Sequence, residues 1–594
     1  MSIVIDDKKI TDINISNKNV QKIVDIVTGK IIFEKTKPVS NEYFYIENTF
    51  DGSNTISLVT TIGSDNTTGS HATQLQYSKD KETWTTITLS GTNTIPMNSG
   101  ERVYFRNDSG SFNWYSNSNP NTDFYTQINC SNNHKVGGNI NSLLDYNNYN
   151  VAITPYCFYQ LFYKNEYLTD ANELIFSKTS LTSNCYREMF RGCTSLTTAP
   201  IELPSTTLAD SCYREMFYGC TSLTTATTEL PATTLADSCY YSMFDGCTSL
   251  TTAPKLPATT LADYCYQYMF YKCTSLITAP SLPATMLKFS CYRAMFQGCT
   301  SLTIAPTLPA TTITDYCYAY MFQDCTSLTT APTELPATTL ERYCYHFMFY
   351  RCTSLTTAPK LPATNLAEYC YSTMFDGCKS LTTAPTELPA TTLANNCYRY
   401  MFSDCTSLTT APALPATTLA NNCYDSMFRG CSKLTNVPTE LPATTLAKSC
   451  YQYMFRDCTS LNTTPKLPAT TLADYCYTSM FRDCTSLTAV STELPATTLA
   501  DYCYQSMFNG CSKLTSVPAL PATTLTNYCY RGIFENCASL NSITVYANNI
   551  SATDCTYSWL LNVASSGTFR NLGSATYTAN SPSGIPSGWT EVKN

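Results

Sequence analysis

The sequence predicts an α/β repeat fold. It is read as a solenoid in which every unit of 26 or 27 residues supplies one short helix and one short parallel strand, preceded by an all-β, sandwich-like N-terminal region. Three observations predict it. Cysteines recur on a fixed ruler, the apolar columns behind each first cysteine share one helical face, and a Thr- and Pro-rich segment that cannot continue a helix follows.

The first cysteine column is Cys185, Cys212, Cys239, Cys265, Cys291, Cys317, Cys344, Cys370, Cys397, Cys423, Cys450, Cys476, Cys503 and Cys529, here numbered repeats 1 to 14. Each is followed eight residues later by a second cysteine, from Cys193 to Cys537. Cys157 and Cys555 are in phase with the first column and mark degenerate end repeats, so the array spans residues 151–555; of the 31 cysteines only Cys130 lies off the ruler. A unit this small cannot close a core alone, and stacking many of them makes a continuous one.

Counting from the first cysteine, the unit of Cys265 places Tyr266 at +1, Met269 at +4, Phe270 at +5 and Cys273 at +8, a spacing that fits one face of a helix. At +7 stand Gly192, Gly219, Gly246, Gly298, Gly377, Gly430 and Gly510, or Asp and Asn such as Asp324 and Asn536. These are residues of a left-handed C-terminal cap, so each helix is expected to end there; Lys272 and Arg351 depart from the pattern. The following Thr-Ser-Leu-Thr-Thr-Ala-Pro reads as a short strand, and Leu-Pro-Ala-Thr-Thr-Leu returns the chain to the next unit. The longer units mostly carry Thr-Glu where the shorter carry one residue ahead of Leu-Pro, which places the insertion in a loop.

Phe-x-x-Cys-Thr-Ser-Leu-Thr followed by a Leu-Pro turn resembles the BspA-like leucine-rich repeat, a cysteine-containing class found in bacterial surface proteins and in some phage and protist proteins. The resemblance implies a leucine-rich-repeat solenoid used as a recognition scaffold, with the ligand set by the exposed columns. The Asp-Tyr-Cys-Tyr-x-x-Met-Phe segment is longer than in the commoner short unit.

Residues 1–37 alternate apolar and polar positions and then show two β runs around Thr28-Gly29-Lys30, a hairpin too small to be stable alone and therefore expected to attach to a partner. The Ile10-Thr-Asp-Ile-Asn-Ile15 beginning is similar to the N-terminal attachment modules of tailed-bacteriophage virion proteins. Residues 38–150 carry short runs such as Thr55-Ile-Ser-Leu-Val-Thr60, Gln74-Leu-Gln-Tyr77 and Arg102-Val-Tyr-Phe105 between turn clusters, the signature of a β-sandwich with Trp84 and Trp114 in its core. The Tyr77-Ser-Lys-Asp-Lys-Glu-Thr-Trp84 stretch reads as a β-hairpin. Residues 556–594, with Trp559 and Trp589, are expected to cap the last repeat.

Composition narrows the function. Lys+Arg 36 against Asp+Glu 44 gives a net charge of -8, so no basic field is available for a nucleic-acid backbone. With only 3 histidines, His71, His134 and His346, far apart in sequence, and no CxxC pair, neither an enzyme nor a zinc site nor any other cofactor is expected. The first residues show no secretory signal, and no apolar run of 18 residues predicts a membrane span. The cysteines could be disulfide-bonded, metal-bound or packed. Helical spacing would hold the two of one unit about 10–12 Å apart, beyond bonding reach, whereas neighbouring units could bridge. The pattern favours two ladders of buried thiols acting as small hydrophobes.

The columns at +2, +3 and +6 vary freely and are expected to face outward. They include Arg187, Arg214, Arg293 and Arg399 at +2, Tyr268, Tyr320, Tyr400 and Tyr453 at +3, and Tyr218, Tyr271 and Tyr350 at +6. A relaxed solvent face would explain the variation; a ligand surface would explain the choice of Tyr and Arg. The expectation is a non-enzymatic recognition or adhesion protein: a virion tail, fibre or head-decoration component, or a bacterial surface protein exported by a non-classical route. Residues 1–37 would contact other virion or surface proteins, and the array a host cell-surface protein or glycan. Self-association, a purely architectural role and an intracellular interaction scaffold are the alternatives.

Overall fold

The computed structural model describes residues 22–24, 31–34, 42–61, 74–107, 115–116, 124–177, 180–490 and 494–593. Strands β1 (Lys22–Val24) and β2 (Ile31–Glu34) pair antiparallel, with Ile23 opposite Phe33. The Thr28-Gly29-Lys30 turn expected between them, His71 and Trp114 lie outside the described residues.

Two sheets then form. One contains β4 (Asn54–Thr61), β7 (Thr92–Met97), β9 (Tyr115–Ser116) and β10 (Phe124–Cys130) in the order β7-β4-β10-β9. The other contains β3 (Phe44–Asn48), β5 (Gln74–Ser78), β6 (Thr85–Thr88), β8 (Arg102–Arg106), β11 (His134–Asn139) and β12 (Leu168–Ile175), in the order β12-β11-β3-β8-β5-β6. Alternate residues of both sheets, among them Ile56, Leu58, Ile95 and Ile128 from one and Phe44, Ile46, Val103 and Phe105 from the other, share one buried cluster. Trp84 departs from expectation. It sits in the turn of the β5–β6 hairpin at the sheet's outer edge, half-buried, edge-on to Tyr43 at 4.9 Å, with the Arg106 guanidinium 3.9 Å from its ring.

The last strand of this sheet comes from the beginning of the repeats. β12 pairs in parallel with β11, and its Asp170 forms a parallel bridge to Thr198 in repeat 1, so the sheet runs into the array without a break. His134 fastens the seam. It is fully buried, its Nδ1 lies 3.0 Å from the Asn132 carbonyl and its Nε2 3.1 Å from Asn165 Nδ2, and burial lowers its pKa to about 4, so the ring is neutral at pH 7.

Within the array the expected short helix does not form; among the described residues the structure contains no α-helix. The segment is a ladder of turns with a period of four. In repeat 4, Tyr264, Tyr268 and Lys272 have φ of 58°, 58° and 54°, and every other repeat has positive φ at the same three positions. Alternate N–H groups close turns within the unit, as Met269 N–H to Tyr266 C=O at 3.2 Å, while the others donate to the next repeat, as Tyr266 N–H to Cys291 C=O at 3.0 Å and Phe270 N–H to Met295 C=O at 2.9 Å. The reason is spacing. Tyr rings at +1 stack from Tyr186 to Tyr530 at 5.5–5.9 Å, and Phe rings at +5 stack from Phe162 to Phe534 at 5.2–5.8 Å. Helices pack with axes about 8–10 Å apart and satisfy their own backbone, so they cannot follow this pitch or bond from unit to unit.

The left-handed position at +7 is therefore one of three per unit, and Lys272 and Arg351 adopt it as the glycines do, with φ of 54° and 56°. The expected strand shrinks to isolated single-residue parallel bridges, as Thr252 to Thr278, Ile304 and Thr330 in succession, because the proline that follows has no N–H to extend the ladder.

All 31 cysteines are buried and free. The second column has a role beyond volume: each Sγ from Cys193 to Cys537 donates to the carbonyl of the preceding repeat's Phe, for instance Cys273 to Phe244 and Cys299 to Phe270, both at 3.1 Å. A thiol is small enough for this site and still a weak donor. The end is closed by a parallel sheet of β13 (Ser542–Val545), β14 (Gly567–Asn571) and β15 (Trp589–Lys593). Trp559 replaces Met at +4, stacks on Tyr577 at 5.4 Å and donates Nε1–H to the Gly584 carbonyl at 2.8 Å.

Candidate functional site

The four-residue period sends two neighbouring side chains inward and the next two outward. Cys, Tyr, Met, Phe and Cys at 0, +1, +4, +5 and +8 of repeat 4 are fully or almost fully buried, and Tyr264, Tyr268, Tyr271 and Lys272 at -1, +3, +6 and +7 lie on the outer face, with Gln267 at +2 covered. All eleven residues expected to contact a ligand lie on that face, each half-buried. The structure divides them into separate groups.

In repeats 1 and 2 the charges neutralise one another. Arg187 Nε meets Glu188 at 3.0 Å, Arg214 Nε meets Glu215 at 3.1 Å, and Arg191 also pairs with Glu215 while its guanidinium covers Tyr218 at 4.4 Å. In repeat 9, Arg399 Nε holds Asp425 at 2.9 Å. Burial pushes the Asp425 carboxyl above its ordinary value, against the opposing pull of Ser426 and Arg399. Tyr400 and Tyr453 stand apart from the main aromatic group, with Arg399 5.1 Å and Arg456 5.7 Å from their rings.

Tyr268, Tyr271, Arg293, Tyr320 and Tyr350 instead belong to an aromatic face spread over repeats 4 to 8. Tyr271 is edge-on to Tyr268 at 5.6 Å, Tyr320 stacks on Phe347 at 5.3 Å, and Phe347 meets Tyr350 edge-on at 5.1 Å. Beside them runs a column that the sequence reading passed over, the residue just ahead of each first cysteine. Tyr264 is edge-on at 5.2 Å to Phe289, which stands beside Ser290, the column residue of repeat 5, and Tyr316, Tyr343 and Tyr369 stack in parallel at 4.7 and 4.8 Å. Its signal was present as Tyr before Cys in successive units. His346 lies between the columns, 5.7 Å from Tyr320 and 5.4 Å from Tyr343, with Nδ1 3.1 Å from the Ser372 carbonyl. Burial lowers its pKa to about 4, so it is neutral at pH 7 and Nδ1–H donates to Ser372.

These stacks run along the array, so the rings of the Tyr316–Tyr369 column cover one another's faces. What the column offers outward is ring edges and phenol hydroxyls, a surface suited to hydrogen bonding and edge contact. A second stack of three joins Tyr475, Tyr502 and Tyr528 at 4.5 and 4.4 Å. Among the described residues no cluster of His, Cys, Asp or Glu is arranged to hold a metal ion.

The family described as BspA type leucine rich repeat region matches residues 144–303, 216–355, 263–409, 316–462 and 425–564. A leucine-rich repeat protein from Bacteroides ovatus ATCC 8483 is similar at 17% identity, over 73% of this chain and 97% of that one, with a TM-score of 0.39. A leucine rich cell surface protein from Faecalibacterium prausnitzii A2-165 is similar at 16% identity, over 73% of this chain and 86% of that one, with a TM-score of 0.29. No curated protein matches. With overlapping matches reaching from residue 144 to residue 564 and the same Cys, Tyr, Met, Phe and Cys columns in nearly every unit between, the chain belongs to the BspA-type leucine-rich-repeat family.

Proposed function

We propose that the protein is a non-enzymatic recognition and adhesion protein of a cell or virion surface, and that the aromatic face of repeats 4 to 8 is its contact surface. One observation carries the reading. Tyr316, Tyr343 and Tyr369 hold positive φ of 56–58°, a conformation that costs a non-glycine side chain about 1–2 kcal/mol, whereas Asn396 and Asn422 fill the same position with a residue that tolerates it. The fold does not need tyrosine there. Aromatic side chains kept in a strained backbone, partly exposed and grouped over successive units, fit a binding role.

The test replaces the face with what the polar repeats already carry. Tyr316→Asn, Tyr343→Asn and Tyr369→Asn, combined with Tyr268→Ser and Tyr320→Ser, should abolish binding to isolated cell envelopes and leave the unfolding transition in place. Full binding by this folded variant would sink the reading. The narrower assignment, a tail, fibre or head-decoration component binding a host envelope, rests on the resemblance of residues 1–37 to attachment modules and on the β1–β2 pairing. On that assignment, deleting residues 1–37 removes the protein from assembled particles; particles that retain it would refute the attachment.

A further inference from the structure

Within the aromatic face Lys272, Arg293 and Arg351 have no carboxylate partner among the described residues, and of the three only Arg293 has its guanidinium Nε buried there. Arg187, Arg214 and Arg399, at the same +2 position, each hold an acidic side chain within 3.1 Å. Arg293 forms no such pair among the described residues, and its Nε is buried without a hydrogen-bond acceptor. An unpaired buried guanidinium nitrogen is costly to maintain, which makes it a place where an anion can bind with net gain.

The surroundings are shaped around this side chain. The register Tyr268 N–H to Arg293 C=O, Ala294 N–H to Ala319 C=O and Tyr320 N–H to His346 C=O, at 3.0, 2.8 and 2.8 Å, places Tyr268, Ala294 and Tyr320 at successive levels of the +3 column. Ala294, 1% exposed, interrupts the aromatic column, and Ala319, 0% exposed, stands at +2 of the next repeat. These two small residues leave room for Arg293 on the array surface, where its guanidinium lies 5.3 Å from the Tyr316 ring and 5.5 Å from the Tyr320 ring. Tyr268 and Tyr320 stand on either side of this level, two levels or roughly 10 Å apart at about 4.8 Å per level.

We propose that Arg293, with Tyr268, Tyr316 and Tyr320, is the acid-recognising subsite of the adhesive face, and that its ligand is a carboxylate-bearing sugar of an acidic polysaccharide. The proposal rests on the adhesion reading above and names its ligand class. A planar guanidinium takes a carboxylate through two parallel hydrogen bonds, and flanking rings and phenols supply apolar and hydroxyl contacts to the sugar body. An acidic peptide offers the same charge on flexible side chains without a rigid ring to meet Tyr268 and Tyr320, so the sugar acid is the better match.

The experiment measures binding of the full chain to polygalacturonate, to the same polymer with its carboxyls reduced to alcohols, and to polyglutamate. Expected is binding of polygalacturonate, a loss of at least tenfold on carboxyl reduction, and a loss of at least tenfold in Arg293→Gln. Glutamine already stands at this position as Gln267, Gln452 and Gln505, so the variant keeps the fold. Undiminished polygalacturonate binding by Arg293→Gln overturns the subsite, as does polyglutamate binding of equal strength or failure of the unaltered chain to bind polygalacturonate. Arg293→Gln that still adheres fully to envelopes refutes this subsite while the adhesion reading stands. Loss of envelope binding in the five-residue face variant supports that reading whatever Arg293 does.

Discussion

Ahead of the first cysteine, repeats 4, 6, 7 and 8 carry Tyr264, Tyr316, Tyr343 and Tyr369, whereas repeats 9, 10 and 11 carry Asn396, Asn422 and Ser449. Beneath both stretches the core is the same: Tyr at +1 stacks on Tyr, Phe at +5 stacks on Phe, and the second cysteine donates to the carbonyl of the preceding repeat's Phe. The backbone is also the same, with φ of 56° at Tyr343 and 54° at Asn422. One set of inward residues therefore supports two different outer faces. The difference between the stretches concerns what the surface meets, and the shared part concerns how the chain folds.

The largest expected effect tests the shared part. Phe322→Ala and Phe428→Ala each remove a fully buried ring from the same ladder, one in each stretch, and should each cost about 3–5 kcal/mol in denaturant unfolding. A severe loss in one stretch with tolerance in the other would break the claim of a common core.

The boundary between the stretches can be read by pH. Asp376 in repeat 8 has its pKa raised to about 7, by burial first and then by Asp404 of repeat 9, with Ser403, Arg351 and Arg429 pulling the other way. A carboxyl raised above its unfolded value contributes stability that is complete below about pH 4 and lost as pH rises through about 7. Unfolding followed across that window should show a loss on the order of 3 kcal/mol, and Asp376→Asn should flatten the profile; an unchanged profile would contradict the burial of this carboxyl. His134 at the seam with the β-sheets works in the opposite direction. Its lowered pKa contributes stability that is complete above about pH 6.5 and lost as pH falls through about 4.

A smaller effect sharpens the backbone comparison. Gly298 has φ of 77°, and a Cβ built there would lie 3.2 Å from Lys272 Cγ. Gly298→Ala should cost about 1 kcal/mol, read as a lowered Tm, and a neutral outcome would mean that the left-handed position is not demanding. The smallest effect is expected for Tyr343→Asn. The lost ring stack, worth about 0.5–1.5 kcal/mol, is offset by relief of the left-handed strain, so stability should stay within about 0.5 kcal/mol. A large destabilisation would make the aromatic column part of the core after all.

Much of this was legible in the sequence. The cysteine ruler located the array, the +1, +4, +5 and +8 columns named the core, and the Gly, Asp and Asn at +7 marked a left-handed residue, all as found. The helix was misread for a measurable reason. Periods of 3.6 and 4.0 residues differ by about 10° per residue, which over one unit's eight steps stays within the width of an apolar helical face. Trp84 was misplaced because its hydrophobicity says nothing about which strand lies at the edge. The candidate residues were turned outward as expected; Glu188 and Glu215 directly follow Arg187 and Arg214 in sequence and Ala294 follows Arg293, whereas the partner of Arg399, Asp425, is found only in the folded array.

By itself the sequence determined a repeating core, because burial repeats wherever the chain repeats. The tertiary structure alone decided that each unit coils through turns, since ring stacks at 5.2–5.9 Å set a pitch too short for helices. It also decided that Arg399 is paired, because its partner Asp425 lies 26 residues away in sequence and one repeat away in space.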